Sequence, residues 1–581
     1  MKSWKKRASA LMLAAMLALS GCELPFLPHS DGDTSPVDNV EVSDAYFGLA
    51  WYRSGTLNPV MDGSAVNSML REALYEGLFE VTDNFTAENV LCEAYTGDGT
   101  NFTFTIRSDV KFWSGAQLSA ADVVESLSTV LANTDSPYHN RLTEVTSIEE
   151  VDGRTVRIVL ASPNVNFPRL LDIPIYRKGT ADEGEFAEGT GPYKPVQNGT
   201  SWSLEANENW NGGFLGTIRH ITLVRMTRTE AAESSFRTGD VSVMRSDRIA
   251  PDDRSTTFSG GVEAVQTPSA VLHYIGLNMS NSQLANAKVR QALSAAISRQ
   301  GLCGTQLQGY ADPAALPVNP QPTVSGLTYS LSADMMTAVS CLREAAQDSA
   351  VSDSSGETDS ADDTEGSSAP SEEDGYYDED GDFIYYQNAL DTEYTAESLD
   401  VRRSMDTAES VKVIQLDNTT ATAADTTAGV KISFRLLVNS DNAFKVAAAQ
   451  QVAASWNALD GVTVTVDAEP YETYVSMLQS GSFDAYYGET QLTPDFDLRP
   501  LVSSGGSLNY GGYSSEAMSA AVAAYRGGEN TDSLYSAFLE EMPFIPLAFE
   551  REQVVIRKDL IDGFDPAPYN VFAGQEHWTK P

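Results

Sequence analysis

Basic side chains are scarce: 38 Lys and Arg stand against 81 Asp and Glu, a formal net charge of -43 over 581 residues. A field of that sign repels nucleic-acid phosphates and anionic headgroups, so no nucleic-acid partner is expected and cationic ones are favoured. Cysteine is rarer still, with Cys22, Cys92, Cys303 and Cys341 in the whole chain. So few thiols cannot staple a chain of this length, and hydrophobic burial has to carry the fold. Cys303 and Cys341 lie in the same half and could pair in an oxidising compartment, leaving Cys92 as a buried thiol. The five histidines are scattered singly, and no Cys/His spacing suits a metal, so neither metal nor cofactor is expected. A His-Glu-x-x-His run and a Gly-x-Ser-x-Gly elbow are both missing, which argues against an exported hydrolase. Apart from residues 8–19 no apolar run is long, and that one is too short to span a bilayer.

What is present begins with an address. Lys2, Lys5, Lys6 and Arg7 precede that short apolar run, and Leu19, Ser20, Gly21 and Cys22 follow it, the layout of a bacterial lipoprotein export signal. Residues 1–21 are then a cleaved signal peptide, Cys22 the lipid-attachment site and 22–40 a flexible spacer. The protein is expected at the cell membrane, lipid-anchored and facing the extracytoplasmic side.

The remainder is long enough for two or three domains and reads as mixed α/β. Phe102, Phe104 and Ile106 alternate with polar residues as a strand, and so do Val156, Ile158 and Leu160. Val66, Met69, Leu70, Ala73, Leu74 and Leu78 recur at helical spacing. Ser119 is placed to start a helix, with Asp122 near its positive end. Strand, helix and strand follow over 430–436, 442–459 and 462–466. Residues 544–556 are again strand-like, with Pro543 and Pro546 marking edges. Between about 349 and 400 the chain is crowded with Ser, Asp, Glu and Gly and is expected to be a disordered acidic insertion. A calcium loop around Asp378–Asp382 is the alternative, but Tyr376 and Gln387 stand where an EF-hand needs ligands.

The spaced series Leu57-Asn58-Pro59, Leu74-Tyr75-Glu76-Gly77-Leu78, residues 95–100, then Gly189-Thr190-Gly191-Pro192-Tyr193, Asn207-x-Asn209-Trp210 and Val289-Arg290-Gln291-Ala292-Leu293 resembles the solute-binding proteins of peptide-type ABC importers, extracellular family 5. The resemblance implies a two-lobed periplasmic-binding-protein clamp of type II, class C, with an extra subdomain in lobe I. On that pattern lobe I covers 41–270, with the subdomain at about 66–185. Lobe II covers 271–540 with the acidic insertion, and 541–581 return to lobe I. Hinges would fall near 266–274 and 541–549. The implied role is capture of a peptide by a monomer and its delivery to a permease and ATPase complex. Oligosaccharide, nickel chelate and signalling peptide are the alternatives on the same fold. By the same likeness Asp495, after the Gly481-x-Phe483-Asp484 run, or its neighbour Asp497, would hold a ligand ammonium. Arg499 would meet a ligand carboxylate or pair with a nearby acid, and Trp51, Tyr52 and Asn58 could wall the cleft.

Overall fold

The computed structural model describes residues 46–53, 57–181, 184–228, 231–247, 249, 261–322, 329–354, 375–377, 383–385, 430–529 and 531–581. The export signal, the spacer, most of the acidic insertion and the calcium alternative lie outside the described residues. Within the insertion, Gly375–Tyr377 pairs antiparallel with Phe383–Tyr385. Among the described residues no helix is long and apolar enough to cross a membrane.

Two hydrophobic cores organise the chain. The first is built on two four-stranded sheets. In one, Gly48–Tyr52 runs parallel to His220–Met226, followed by Ser201–Ala206 and Tyr193–Asn198. In the other, Cys92–Gly97, Asn101–Ile106, Thr155–Leu160 and Val145–Asp152 form an antiparallel sheet. Period-two patterning explains the second sheet, because Phe102, Phe104, Ile106, Val156, Ile158 and Leu160 turn to one face and are buried. The helix Ala120–Ala132 covers this region, and its start is held where Ser119 N–H donates to Asp122 Oδ2 at 2.9 Å.

The helix expected over 66–78 is shorter, Ser68–Leu74. Its end is forced by packing. A Cβ on Gly77 would lie 2.8 Å from the backbone of Asp172, and one on Gly189 2.2 Å from the Leu74 carbonyl. The two motifs therefore meet backbone to backbone, with Gly191 N–H donating to Leu74 O at 3.0 Å, and only glycine allows the approach.

The second core surrounds an open sheet in the order Val243–Ser246, Ile545–Arg557, Val262–Leu277, Ala485–Gln491, Ile432–Asn439, Val462–Glu469, with Ala311–Pro313 beside Ile545–Arg557. Ile432–Asn439 and Val462–Glu469 pair in parallel, connected through the helix Ala443–Asn457. Asn442 caps that helix by accepting from Lys445 N–H at 3.0 Å. Val262–Leu277 and Ile545–Arg557 are long and antiparallel, and they run from one core into the other. Pro546 is the second residue of Ile545–Arg557 and marks an edge as expected, because among the described residues only Val262–Leu277 pairs with it there, while Ala311–Pro313 reaches Ala548–Glu550 and Val243–Ser246 reaches Gln553–Ile556. The pairing slips between His273 and Tyr274, and that irregularity accommodates a residue without an N–H.

The cores also touch away from these strands. The turn between Phe79–Val81 and Ala87–Asn89 carries Phe85 into the second core, where its ring meets Phe496 at 4.9 Å between centroids.

Candidate functional site

A cavity of about 860 Å³ opens beside the two long strands. Its lining includes the helix Ser68–Leu74, the Glu76-Gly77 turn, Asp172, residues 568–576, and Asp247, Ser269, Val271, Gln491, Glu550 and Glu552. This size is ordinary for a small-molecule or short-peptide site.

Charge dominates the lining, with nine carboxylates against three guanidinium groups. Each arginine is already engaged. Arg141 pairs with Asp172 and lies over the Tyr138 ring, 5.2 Å from its centroid. Arg245 bridges Glu72, at 2.7 Å, and Glu552. Arg71 donates to Ser64 O at 3.2 Å and faces Asp62. Glu76 accepts from Trp210 Nε1–H at 3.0 Å, while its Oε2 is buried with no hydrogen-bond partner. Burial therefore pushes its carboxyl up to about 7, against the Trp210 hydrogen bond.

Behind the floor lies a denser cluster. His273 and Glu489 are direct cross-strand partners, and Glu550 comes from the adjacent strand. His273 Nε2 lies 3.4 Å from Glu489 Oε2 and 3.4 Å from Glu550 Oε2, and its Nδ1 is 3.0 Å from the Tyr487 hydroxyl. Lys445 Nζ is 3.0 Å from Glu489 Oε2. Burial would raise Glu489, but Lys445 outweighs it and holds the carboxyl below its usual range. Burial lowers His273, leaving the imidazole neutral. Burial and then Glu489 push Glu550 up to about 8. Asp247 is driven well above the usual range by the crowding walls and then by Glu550. Its side chain keeps solvent contact, so the confinement is that of a cleft floor instead of a sealed interior.

The residues singled out from sequence lie elsewhere. Asp495 is 2% exposed and does not line the cavity. Its Oδ1 accepts from Thr493 Oγ1–H at 2.6 Å and its Oδ2 from Asn164 Nδ2–H at 2.8 Å, across 331 residues of chain. Asp497 Oδ2 accepts from Arg526 Nη1–H at 2.9 Å. Arg499 grips Asp497 through Nε, 2.8 Å from Oδ2, and both arginines reach Glu144 in the first core. Asp495 and Asp497, with Arg499 and Arg526, thus lie at a contact between the cores and not in the lining of the cavity. Trp51 is a core side chain packed on Phe186 and Trp202, Tyr52 packs partly buried beside Val66, and Asn58 shapes its own turn by accepting from Val60 N–H at 3.1 Å. None of the three lines the cavity. Cys303 and Cys341 are free, buried thiols, as is Cys92. They do not pair because Cys303 packs in a small cluster with Ile249, Leu307 and Ala548, whereas Cys341 packs in the second core with Leu342 and Ala345.

Asp247, His273, Glu489 and Glu550 escaped the sequence reading. The available signal was the carboxylate inside an apolar strand: Glu489 after Ala485-Tyr486-Tyr487-Gly488, and Glu550 after Leu547-Ala548-Phe549. A buried acid at such a position is costly without a purpose or a partner.

The model of the bacterial extracellular solute-binding proteins, family 5, matches residues 86–509. Glutathione-binding protein GsiB of Salmonella paratyphi A is 30% identical over 282 residues, 46% of this chain and 54% of that protein. The chain therefore spans about half the length of the curated relatives it matches. Among solved structures, the fold is similar to oligopeptide-binding AppA of Bacillus subtilis in complex with a nonapeptide, with a TM-score of 0.52, 19% identity and coverage of 92% of this chain and 100% of that one. A nickel ABC transporter protein of Bacillus halodurans is similar at a TM-score of 0.61 and 17% identity, covering 91% and 98%.

Proposed function

The chain belongs to the bacterial extracellular solute-binding proteins of family 5, which are binding proteins and not enzymes, and we propose that it is the lipid-anchored receptor of an ABC importer that captures peptides. The observation that carries this reading is the cavity beside Val262–Leu277 and Ile545–Arg557. Two long strands shared by both cores can act as a hinge, so closing over a solute shifts a population of conformers without any chemical step. The closed form would then be the one recognised by a permease and its ATPase. Cys22 would tether the protein to the outer side of the membrane and so keep the receptor close to its permease.

Native mass spectrometry of the protein purified without refolding tests the reading. A ladder of co-purified short peptides supports it, and a single saccharide or metal chelate overturns it. Cys22→Ala tests the anchor separately: the protein should leave the membrane fraction while solute binding is unchanged.

A further inference from the structure

An aromatic contact joins the two cores beside the cavity, and its backbone is strained. Phe85, Phe496 and Tyr569 are three of the six non-glycine residues with positive φ among those described, at 53°, 53° and 61°. The same three rings converge, with Phe85 at 4.9 Å from Phe496 and 6.4 Å from Tyr569 between centroids. Phe85 and Phe496 end tight turns of one kind, each donating its N–H at 2.8 Å to the carbonyl three residues back, Thr82 O and Thr493 O. Phe85 arrives on the turn after Phe79–Val81, and Tyr569 on a segment whose next residues, Val571 and Phe572, are buried in the first core. Phe496 belongs to the second core and meets Phe549, on the long strand Ile545–Arg557, edge-on at 5.9 Å.

A left-handed backbone is unfavourable for an aromatic residue, because its Cβ crowds the following carbonyl, and it persists only where surrounding contacts hold it. Here the holding contact comes from the opposite core: Phe85 is fully buried on a turn that leaves its own core. Separating the cores would expose the rings but let the backbones relax, so strain offsets part of the burial gain and the contact can be undone as a unit. Asp495 and Asp497, on either side of Phe496, belong to a polar set that also crosses between the cores. Asn164 Nδ2–H donates to Asp495 Oδ2 at 2.8 Å, Val165 N–H donates to Arg526 O at 2.8 Å, and Arg499 and Arg526 both reach Glu144. An apolar centre with polar contacts beside it is the anatomy of an interface between bodies that can part.

We propose that Phe85, Phe496 and Tyr569 form a clasp that holds the cores closed without help from a solute, and that solute enters and leaves only when the clasp parts; this rests on the reading of the two long strands as a hinge. Of Phe85, Phe496, Phe549 and Tyr569 only Tyr569 lines the cavity. The hold of Phe85 on Phe496 is therefore the same with the cavity filled or empty. A contact of that kind biases the solute-free protein toward the closed form. Its strength sets the fraction of molecules able to admit a solute, and that fraction scales the apparent affinity for every solute alike.

The test takes the full chain carrying Cys22→Ala, freed of solute, and compares it with Phe85→Ala and Phe85→Leu in the same background by amide hydrogen exchange and small-angle X-ray scattering. Thermal unfolding shows which variants are folded. In Phe85→Ala the Val165 amide, whose acceptor Arg526 O lies across the contact, should exchange at least about tenfold faster, together with the turn at 82–86. The paired strands Ile432–Asn439 and Val462–Glu469 should keep their protection, and the radius of gyration should rise. Phe85→Leu refills most of the space and should restore most of both readings. If Phe85→Ala does not fold, the comparison is read on Phe85→Leu, with a smaller change in the same direction expected. Faster exchange confined to 82–86, or an unchanged radius of gyration, makes the rings a fixed packing contact and overturns the proposal. A solute-free parent already as expanded as the variant also overturns it. These outcomes concern closure alone, and the solute reading stands or falls separately on the co-purified ladder.

Discussion

Two clusters of buried charge join the halves of this molecule, and they are balanced in opposite ways. Where Glu144 meets Asp495 and Asp497, the two guanidinium groups of Arg499 and Arg526 answer three acids, and Asn164 and Thr493 hydrogen-bond Asp495. Where the long strands cross, Asp247, Glu489 and Glu550 have Lys445 and a neutral imidazole. The first cluster is closed on itself and serves as a contact between the cores. The second has Lys445 for its three acids among the described residues and opens on a cavity. Buried acids answered by cations and hydrogen bonds within the fold make structure.

The contrast can be broken most severely at Arg526. Arg526→Ala leaves Glu144, Asp495 and Asp497 with Arg499 as their one remaining cation among the described residues, and it should cost about 3–5 kcal/mol in denaturant unfolding; a cost below about 1 kcal/mol would mean that the network is not closed as described. Phe85→Ala removes the ring that the first core inserts beside Phe496 and should cost roughly 3 kcal/mol, read by the same method.

The floor cluster should respond to pH in the opposite sense from an ordinary ion-paired acid. Glu550 and Glu76 are held up to about 8 and about 7, above their unfolded value near ~4.3. The folded protein therefore binds more protons than the unfolded chain. Their stabilising contribution is complete below about pH 4 and is lost as pH rises to about 8. Unfolding of solute-free protein between pH 5 and 8 should show falling stability, and Glu550→Gln should flatten the profile. The smallest effect is expected at Asp495. Because its carboxyl is raised by burial and then by Asp497, Asp495→Asn should change stability by no more than about 1 kcal/mol and leave solute affinity untouched. A selective loss of free-amine solutes in that variant would return the ammonium site to Asp495.

Much of the fold was legible in local pattern. The strands at 101–106 and 155–160, the helix start after Ser119 and the strand-helix-strand unit from 432 all lie where periodicity and capping predict them. The errors share a cause. The helix at 68 stops early because Gly77, Gly189 and Gly191 pack against distant backbone. Candidate ligand residues were sought beside a recognisable run, and that neighbourhood proved to be the contact between cores. The carboxylates that do line the cavity sit in apolar strands, where a sequence shows an acid but not whether a cation faces it.

Alone, the sequence determined the order of helices and strands, the family and an acidic surface, since each depends on near neighbours or on composition. Only the tertiary structure decided which acids are matched. Asp495 gains Asn164 across 331 residues, and Arg526 reaches Glu144 across 382, whereas Glu550 meets the imidazole of His273 across 277. Charge compensation acts over a few ångströms in space, and the packing of two cores sets which residues come that close.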